Sequence, residues 1–348
     1  SAEFIQVGIG QDVVRRGDQV VDVTVAIAKG GEGSEARHDD RMPSIGGRAA
    51  TIVDVNAETP PADPTMPWST VHTVLCDLDG VVWLAHHPIP GSVEAVATLR
   101  AAGRRVMFVT NNSAATLGDH EAALEAIGIR ASGDVVSSAM AAARLVEPGE
   151  RVLVAGGPGI VEALEARGAL VVANGGSGAS ERFDAVVVGL DRDFDFARLS
   201  SASAAVRAGA RLIGTNTDST YPTPSGLQPG GGAILAAIAT AADTEPVIGG
   251  KPHRPMADLI AELIAGSGDR FDPSTVLMIG DRPETDGLFA ARLRCRFALV
   301  RSGVTGAPAT EPTLEIAGDM AAGHLDGLSV HLDAHDLRAV ADRILSVP

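Results

Sequence analysis

From Val71 onward, short apolar runs rich in β-branched residues alternate with helical segments across brief connections. Val74-Leu75-Cys76, Arg105–Val109, Val135-Val136, Val276–Ile279 and Phe297–Val300 read as strands in a first block. The helices between them are expected at Val93–Ala102, in the stretch reaching Gly128, at 139–146 and at 255–265, with Gly103 suited to the left-handed residue that ends a helix. A second block has strands at Val152–Ala155, Leu170–Val172, Ala185–Gly189 and Leu212–Ile213, and helices at Ile160–Ala166, Phe196–Ala208 and Ala233–Ala242. Alternation of this kind, with no internal repeat, predicts an α/β fold with a doubly wound parallel sheet. The pattern of the first block is expected to resume after Glu245.

The first 70 residues are of another character. Val21, Val23, Val25 and Ile27 alternate with polar and small residues as a weak strand, between loop-like Gly30-Gly31-Glu32-Gly33 and Thr59–Pro64. A poorly ordered extension over 1–70 is expected, with folding and activity retained by a chain that starts at Met66. Gly175-Gly176-Ser177-Gly178 reads as a surface loop.

Charge narrows the partners. A net charge of −16 argues against nucleic acid and against anionic membranes, but not against a small phosphorylated metabolite that meets local cations in a cleft. No run approaches the ~18 apolar residues needed to span a bilayer, and the chain does not open on a charged-then-apolar segment, so a cytoplasmic protein is expected. Cys76 and Cys295 are too few for a disulfide framework or a cysteine metal site. Among 28 basic residues only Lys29 and Lys251 are lysines. A lone lysine in an arginine-using chain suggests a place that needs a compact ammonium.

Carboxyl ends of parallel strands lie on one side of a sheet, where open α/β folds bind ligands. Three of these strands end in polar clusters there: Asp77 and Asp79, Thr110 with Asn111 and Asn112, and Asp281 with Asp286. Lys251 can join them from the loop before helix 255–265. Carboxylates, amides, a hydroxyl and an ammonium suit a hard, oxygen-binding cation together with a tetrahedral oxyanion, which favours Mg²⁺ over zinc. Taken singly, each cluster has a plainer reading. Asp77-Leu78-Asp79-Gly80 is equally compatible with an acidic turn, and Ser113 or Asp281 with helix caps. Gly156–Gly159 and Gly230–Gly232 lack the Lys and Ser/Thr of a P-loop and read as turns, the second near a hinge between domains. His86, His87 and His253 read as solvated loop residues.

The ordered set resembles the haloacid dehalogenase-like (HAD) phosphatase superfamily, through Asp77-Leu78-Asp79-Gly80, Thr110-Asn111-Asn112-Ser113, Lys251-Pro252 and Gly280-Asp281 with Asp286. Pro88-Ile89-Pro90-Gly91, Gly189–Asp195, Gly214–Asp218 and Gly249-Gly250-Lys251-Pro252 are similar to its NagD-like branch, which includes phosphoglycolate and 4-nitrophenyl phosphatases. The resemblance implies a Rossmann-like core over 71–148 and 245–348, interrupted by an α/β cap over 149–244. It implies a Mg²⁺-dependent phosphomonoester hydrolase with Asp77 as nucleophile and Asp79 as general acid and base. Mg²⁺ would be held by the Asp77 carboxylate, the Asp79 carbonyl and Asp281, with Asp286 supporting them from behind. Thr110, Asn111 and Lys251 would bind the phosphate. Cap loops carrying Asp191, Thr215, Asn216 and Asp218 would meet the leaving group, and a homodimer through the cap is a family expectation. Phosphates of glycerol or glycolate, sugar phosphates, nucleotides and pyridoxal phosphate all remain open as substrates. Asp79 argues against a dehalogenase, and the absence of lysine from the cap argues against a Schiff-base phosphonatase. A non-catalytic sensor of phosphorylated metabolites is the reading from another class. The chain departs from the family at Gly287, where an aliphatic residue is usual, and at Arg294, where Gly is common.

Overall fold

The structure is a computed structural model that describes residues 66–175, 182–223, 226–266, 271–305, 313–317 and 329–346. The weak strand at 21–27 and most of the expected extension over 1–70 lie outside the described residues, as do 176–178 of the glycine loop. In chain order, the first elements are β1 (Thr73–Cys76), a small hairpin of β2 (Trp83–Leu84) and β3 (His87–Pro88), and α1 (Ser92–Ala101). Next come β4 (Arg105–Thr110), α2 (Leu117–Ala126), β5 (Val135–Ser137) and α3 (Ser138–Ala143). The inserted block runs through β6 (Arg151–Ala155), α4 (Pro158–Ala166), β7 (Leu170–Ala173), β8 (Ala185–Val188), α5 (Phe196–Arg207) and β9 (Arg211–Gly214). It continues with the hairpin β10 (Thr220–Thr223) and β11 (Gly226–Pro229), then α6 (Gly231–Ala242) and β12 (Val247–Ile248). Finally come α7 (Arg254–Gly266), β13 (Val276–Gly280), α8 (Leu288–Leu293), β14 (Arg296–Val300), β15 (Thr313–Ala317), β16 (Ser329–Ala334) and α9 (Leu337–Leu345).

Two sheets organise these elements. The larger has the order β15-β16-β14-β13-β1-β4-β5 and is parallel except for the antiparallel β15–β16 pair at its edge. Side chains alternate across it with the two-residue period of a strand. Val74 and Cys76 face one core with Leu99 of α1 and Val340 of α9, while Leu75 faces the other with Ile260 of α7 and Phe289 of α8. Helices thus cover both faces, as the near-continuous apolar strands require.

The second sheet, β12-β9-β8-β6-β7, is wholly parallel. It sandwiches Val186 and Val188 against α5 and α6, and Val152 and Val154 against α3 and α4. β12 is a correction to the sequence reading. Val247 and Ile248 pair with Ile213 and Gly214, so the chain is still in the second sheet after Glu245. Helix α3 is the seam between the sheets. Ala141 packs into the core of the larger sheet, and Ala139, Ala142 and Ala143 pack into that of the smaller. An alanine-rich helix permits this double contact because its backbone can approach both partners; a Cβ on Gly249 would lie 2.6 Å from the Ala142 backbone.

Arg294 ends α8 in the left-handed region, at φ 58. That explains why glycine suits this position, since only glycine adopts it without steric cost. Gly287 lies in an ordinary right-handed conformation, after a wide turn over Pro283–Gly287.

Arg296, at the start of β14, is the second-largest fully buried side chain among the described residues. Its guanidinium donates to the carbonyls of Met66 (3.2 Å) and Ser274 (3.2 Å) and to the Thr70 hydroxyl (2.9 Å), and lies 4.8 Å from the Trp68 ring. One buried cation therefore ties the chain from Met66 to Thr70 onto the sheet. Arg296→Ala should destabilise the protein by about 2–4 kcal/mol, from a cavity plus unmatched buried carbonyls. A lowered urea midpoint at unchanged m-value would show it.

Candidate active site

β13, β1 and β4 are neighbours, so their carboxyl ends deliver Asp281, Asp77 and Thr110 side by side. The Asp77 N–H still donates to the Ile279 carbonyl at 2.9 Å, which extends the ladder one residue past β1 and fixes the carboxylate at the sheet edge. The chain then turns at Gly80, whose φ of 89 suits glycine. A Cβ there would lie 2.3 Å from Asp281 Oδ2, and one on Gly303 would lie 1.9 Å from the same atom. These two glycines make room for the Asp281 carboxylate. After the turn, the buried indole of Trp83 donates to Asp79 Oδ1 at 3.1 Å.

Lys251 is the hub of the cluster. Its Nζ donates to Asp77 Oδ1 at 2.8 Å and to Asp286 Oδ1 at 2.7 Å, with the side chain 1% exposed. Burial draws the ammonium's pKa down, but the carboxylates of Asp286 and Asp77 outweigh it and hold the group charged. The Lys251 backbone is clamped as well: its N–H donates to Asn111 Oδ1 at 2.9 Å and its carbonyl accepts from Asn111 Nδ2 at 3.1 Å. Asn111 Nδ2 also donates to Asp218 Oδ2 at 3.2 Å. The amide predicted as a phosphate ligand thus spends its side chain on holding Lys251 in place.

One oxygen each from Asp77, Asp281 and Asp286 lie within 4.8 Å of one another. Asp281 accepts from the Val304 N–H through Oδ2 at 2.6 Å, while its Oδ1 is buried without a hydrogen-bond partner. Asp286 accepts from Lys251 through Oδ1 and from the Arg282 N–H through Oδ2 at 3.2 Å. Burial, aided by the charge of Asp77, pushes Asp79 up to about 7 and Asp281 up to about 6. Burial also raises Asp286 against the pull of Lys251. Four carboxylates around one ammonium leave unbalanced negative charge, and the orphaned oxygen of Asp281 points into it. The donor set fits a divalent, oxygen-preferring cation.

Above this floor is a cavity of about 590 Å³. Asp77, Asp79, Thr110, Asn111, Lys251, Asp281 and Asp286 line its base. Of the four residues predicted on the inserted block, Asn216 and Asp218 reach it. Asn216 Nδ2 also donates to the Asn111 carbonyl at 2.7 Å, which joins the two sheets behind the site. Thr215 does not line the cavity: it is fully buried, with its hydroxyl 2.8 Å from that of Ser113. Asp191 is likewise off the wall, held by Arg198 at 3.0 and 3.1 Å. Its neighbours Leu190 and Arg192 line the cavity instead. Gly230 and Gly231, expected in a turn, do lie where the N-terminus of α6 meets the cavity. Sequence reasoning also passed over Trp83, although an indole N–H in an apolar run needs a buried acceptor, and Asp79 is near enough to be one. His86 and His87 are both exposed, as expected; His86 also lines the cavity, its ring 4.9 Å from that of Trp83. Among the described residues, no helix is long and apolar enough to cross a membrane.

Known proteins resemble this chain in sequence and in fold. Residues 74–169 match the family model described as haloacid dehalogenase-like hydrolase, and residues 248–328 match a HAD-hydrolase-like model. Human chronophin is 37% identical over 247 residues, 67% of this chain and 81% of its own. The D-glycerol 3-phosphate phosphatase of Mycobacterium tuberculosis is 36% identical over 267 residues, 73% of this chain and 71% of its own. The crystal structure of the glycerol phosphate phosphatase from that organism in complex with magnesium superposes with a TM-score of 0.61 at 34% identity, covering 69% of this chain and 70% of the other. A 4-nitrophenylphosphatase from Thermotoga maritima gives 0.61 at 28% identity, over 68% of this chain and 88% of its own. The chain belongs to the haloacid dehalogenase-like hydrolases, in their NagD-like branch, and is a phosphoric monoester hydrolase of that family.

Proposed function

We propose that this cleft hydrolyses phosphomonoesters of small metabolites, of the glycerol phosphate or phosphoglycolate kind, through a phosphoryl group carried on Asp77. The observation behind this reading is the buried Lys251, which bridges Asp77 and Asp286 while Asp79 stands beside them with a pKa near 7. Among the three carboxylates that approach one another, Asp77 keeps 13% of its side chain open whereas Asp286 keeps 1%. The reachable carboxylate is the one suited to attack.

Mg²⁺ would be held by the Asp77 carboxylate, the Asp79 carbonyl and Asp281, and would neutralise charge on the phosphoryl oxygens. The partnerless Oδ1 of Asp281 supports that set. Asp286 has both oxygens engaged, by Lys251 and by the Arg282 N–H, which suits it to hold the ammonium rather than the ion.

In the first half-reaction an Asp77 oxygen forms a bond to phosphorus, the bond from phosphorus to the ester oxygen breaks, and Asp79 gives its proton to the departing alkoxide. In the second, Asp79 takes a proton from water, whose oxygen attacks phosphorus and releases Asp77 and inorganic phosphate. Proton transfer by a positioned carboxyl is typically worth ~10²–10⁴ in rate. Lys251 has three donors, two of them spent on carboxylates, and the third is free for a phosphoryl oxygen. The Thr110 hydroxyl oxygen accepts from the Asn112 N–H at 3.0 Å, so its own proton can point at the phosphate. With the Asn111 side chain committed to Lys251 and Asp218, Asn111 would contribute its backbone N–H. These groups act by positioning and charge neutralisation, which carry most of phosphoryl transfer.

Asp77→Asn should abolish phosphate release from 4-nitrophenyl phosphate while circular dichroism stays unchanged; turnover near wild type would remove the nucleophile assignment, and no phosphate release by the wild-type protein would favour a metabolite sensor. Lys251→Arg should lower kcat by at least about tenfold, because a planar fork cannot occupy the ammonium's place between two carboxylates. Trp83→Phe removes the donor that orients Asp79. It should slow glycerol 3-phosphate, whose alkoxide needs a proton, by about tenfold, and 4-nitrophenyl phosphate by less than about threefold. Equal losses on both would mean that Trp83 serves the fold alone.

A further inference from the structure

The wall that the inserted block turns toward the cavity carries a guanidinium in a built setting. Arg192 lies on that wall, and among the described residues no carboxylate pairs with it. Its Cζ sits 5.6 Å from the ring centroid of Tyr221, which also lines the cavity. Tyr221 is fixed in turn: it stands directly opposite Gln228 across the β10–β11 hairpin and its hydroxyl donates to Gln228 Oε1 at 2.9 Å. The loop that bears Arg192 is pinned on both sides. Asp191 takes the Arg198 guanidinium and the Asp193 N–H, and Asp195 caps α5 by accepting the Arg198 N–H at 2.8 Å. Arg192 is exposed to solvent on the cavity wall, on a loop that these bonds fix.

A guanidinium laid on an aromatic ring uses its face and leaves its N–H edges free, the arrangement that takes carboxylate or phosphate through paired hydrogen bonds. The carboxylate on the same wall, Asp218, is turned to Asn111, and burial shifts it toward its neutral form. Lys251 is held at the floor by Asp77 and Asp286, where its remaining donor serves the phosphoryl group rather than the leaving portion. Arg282, the other guanidinium that lines the cavity, lies close enough to Asp218 and Asp281 to act on their charge, so an anionic group that reaches the wall of the inserted block finds Arg192.

We propose that Arg192, seated on Tyr221, is the subsite for a second anionic group on the leaving portion of the substrate. The preferred substrates are then phosphomonoesters that also carry a carboxylate or a further phosphate, rather than phosphates of neutral alcohols. This rests on the phosphatase reading above and adds its selectivity.

The test compares kcat/KM within matched pairs: 3-phosphoglycerate against glycerol 3-phosphate, which differ by a carboxylate, and fructose 1,6-bisphosphate against fructose 6-phosphate, which differ by a phosphate. The wild-type enzyme should favour the anionic member of at least one pair by about 10- to 100-fold, the range set by a charged hydrogen bond, and mainly through KM. The favoured pair names the anion. R192Q should erase that preference, and R192K, which keeps the charge but not the fork, should restore part of it. A preference unchanged in R192Q, or a wild-type preference for the neutral member of both pairs, overturns the assignment. Absence of wild-type turnover on every ester, 4-nitrophenyl phosphate included, would overturn the phosphatase reading itself.

Discussion

A single ammonium buried between two carboxylates holds this site together. Taking a lysine out of water is costly unless its charge is matched, and Lys251 is matched by Asp77 from β1 and by Asp286 from the turn after β13. Its backbone is gripped by Asn111 from the end of β4. Two segments distant in sequence thus depend on one side chain for their charge balance, and a third holds the backbone that carries it. The same pairing leaves the carboxylates in excess, with burial lifting Asp79 and Asp281 above their ordinary range. The protein maintains a strained electrostatic arrangement at one edge of a well-packed sheet, where a cation and a phosphate can relieve it.

The fold was largely readable because buried parallel strands must be apolar on both faces and their ends must be polar. β1, β4 and β13 announce themselves this way, and so do the clusters they carry. β12 did not, for a physical reason. Two residues between Pro246 and Gly249 are too short to show a period, so only the hydrogen bonds to β9 reveal which sheet they join. Arg294 is a similar case, since an unusual residue in a glycine-favouring place becomes intelligible only once its backbone angle is known.

At the site, residue identities were legible and directions were not. Asp191 and Arg192 are adjacent in a turn, where no periodicity says which side chain faces inward; the ion pair with Arg198 decides it. Asn111 was recognisable as part of the site, but its bonds to the backbone of Lys251 join residues far apart in the chain, and no local pattern encodes them. Thr215 and Asn216 are both plausible ligands and both buried, and their contacts separate them: one braces Ser113, the other reaches the cavity.

The glycine pair between β12 and Lys251 has a mechanical consequence. Gly249 and Gly250 carry on the pairing with Gly214 and Thr215, so the second sheet continues by hydrogen bonds almost to the lysine itself. Neither glycine has room for a side chain: a Cβ on Gly250 would meet the Thr215 carbonyl at 2.4 Å and Asn111 Oδ1 at 2.6 Å. The link is therefore short and tightly meshed, like a gear tooth rather than a tether. Any slip of the substrate-facing sheet against the catalytic one is transmitted to the ammonium, so the enclosure of a substrate and the charge state of the chemistry beneath it are set by a common part.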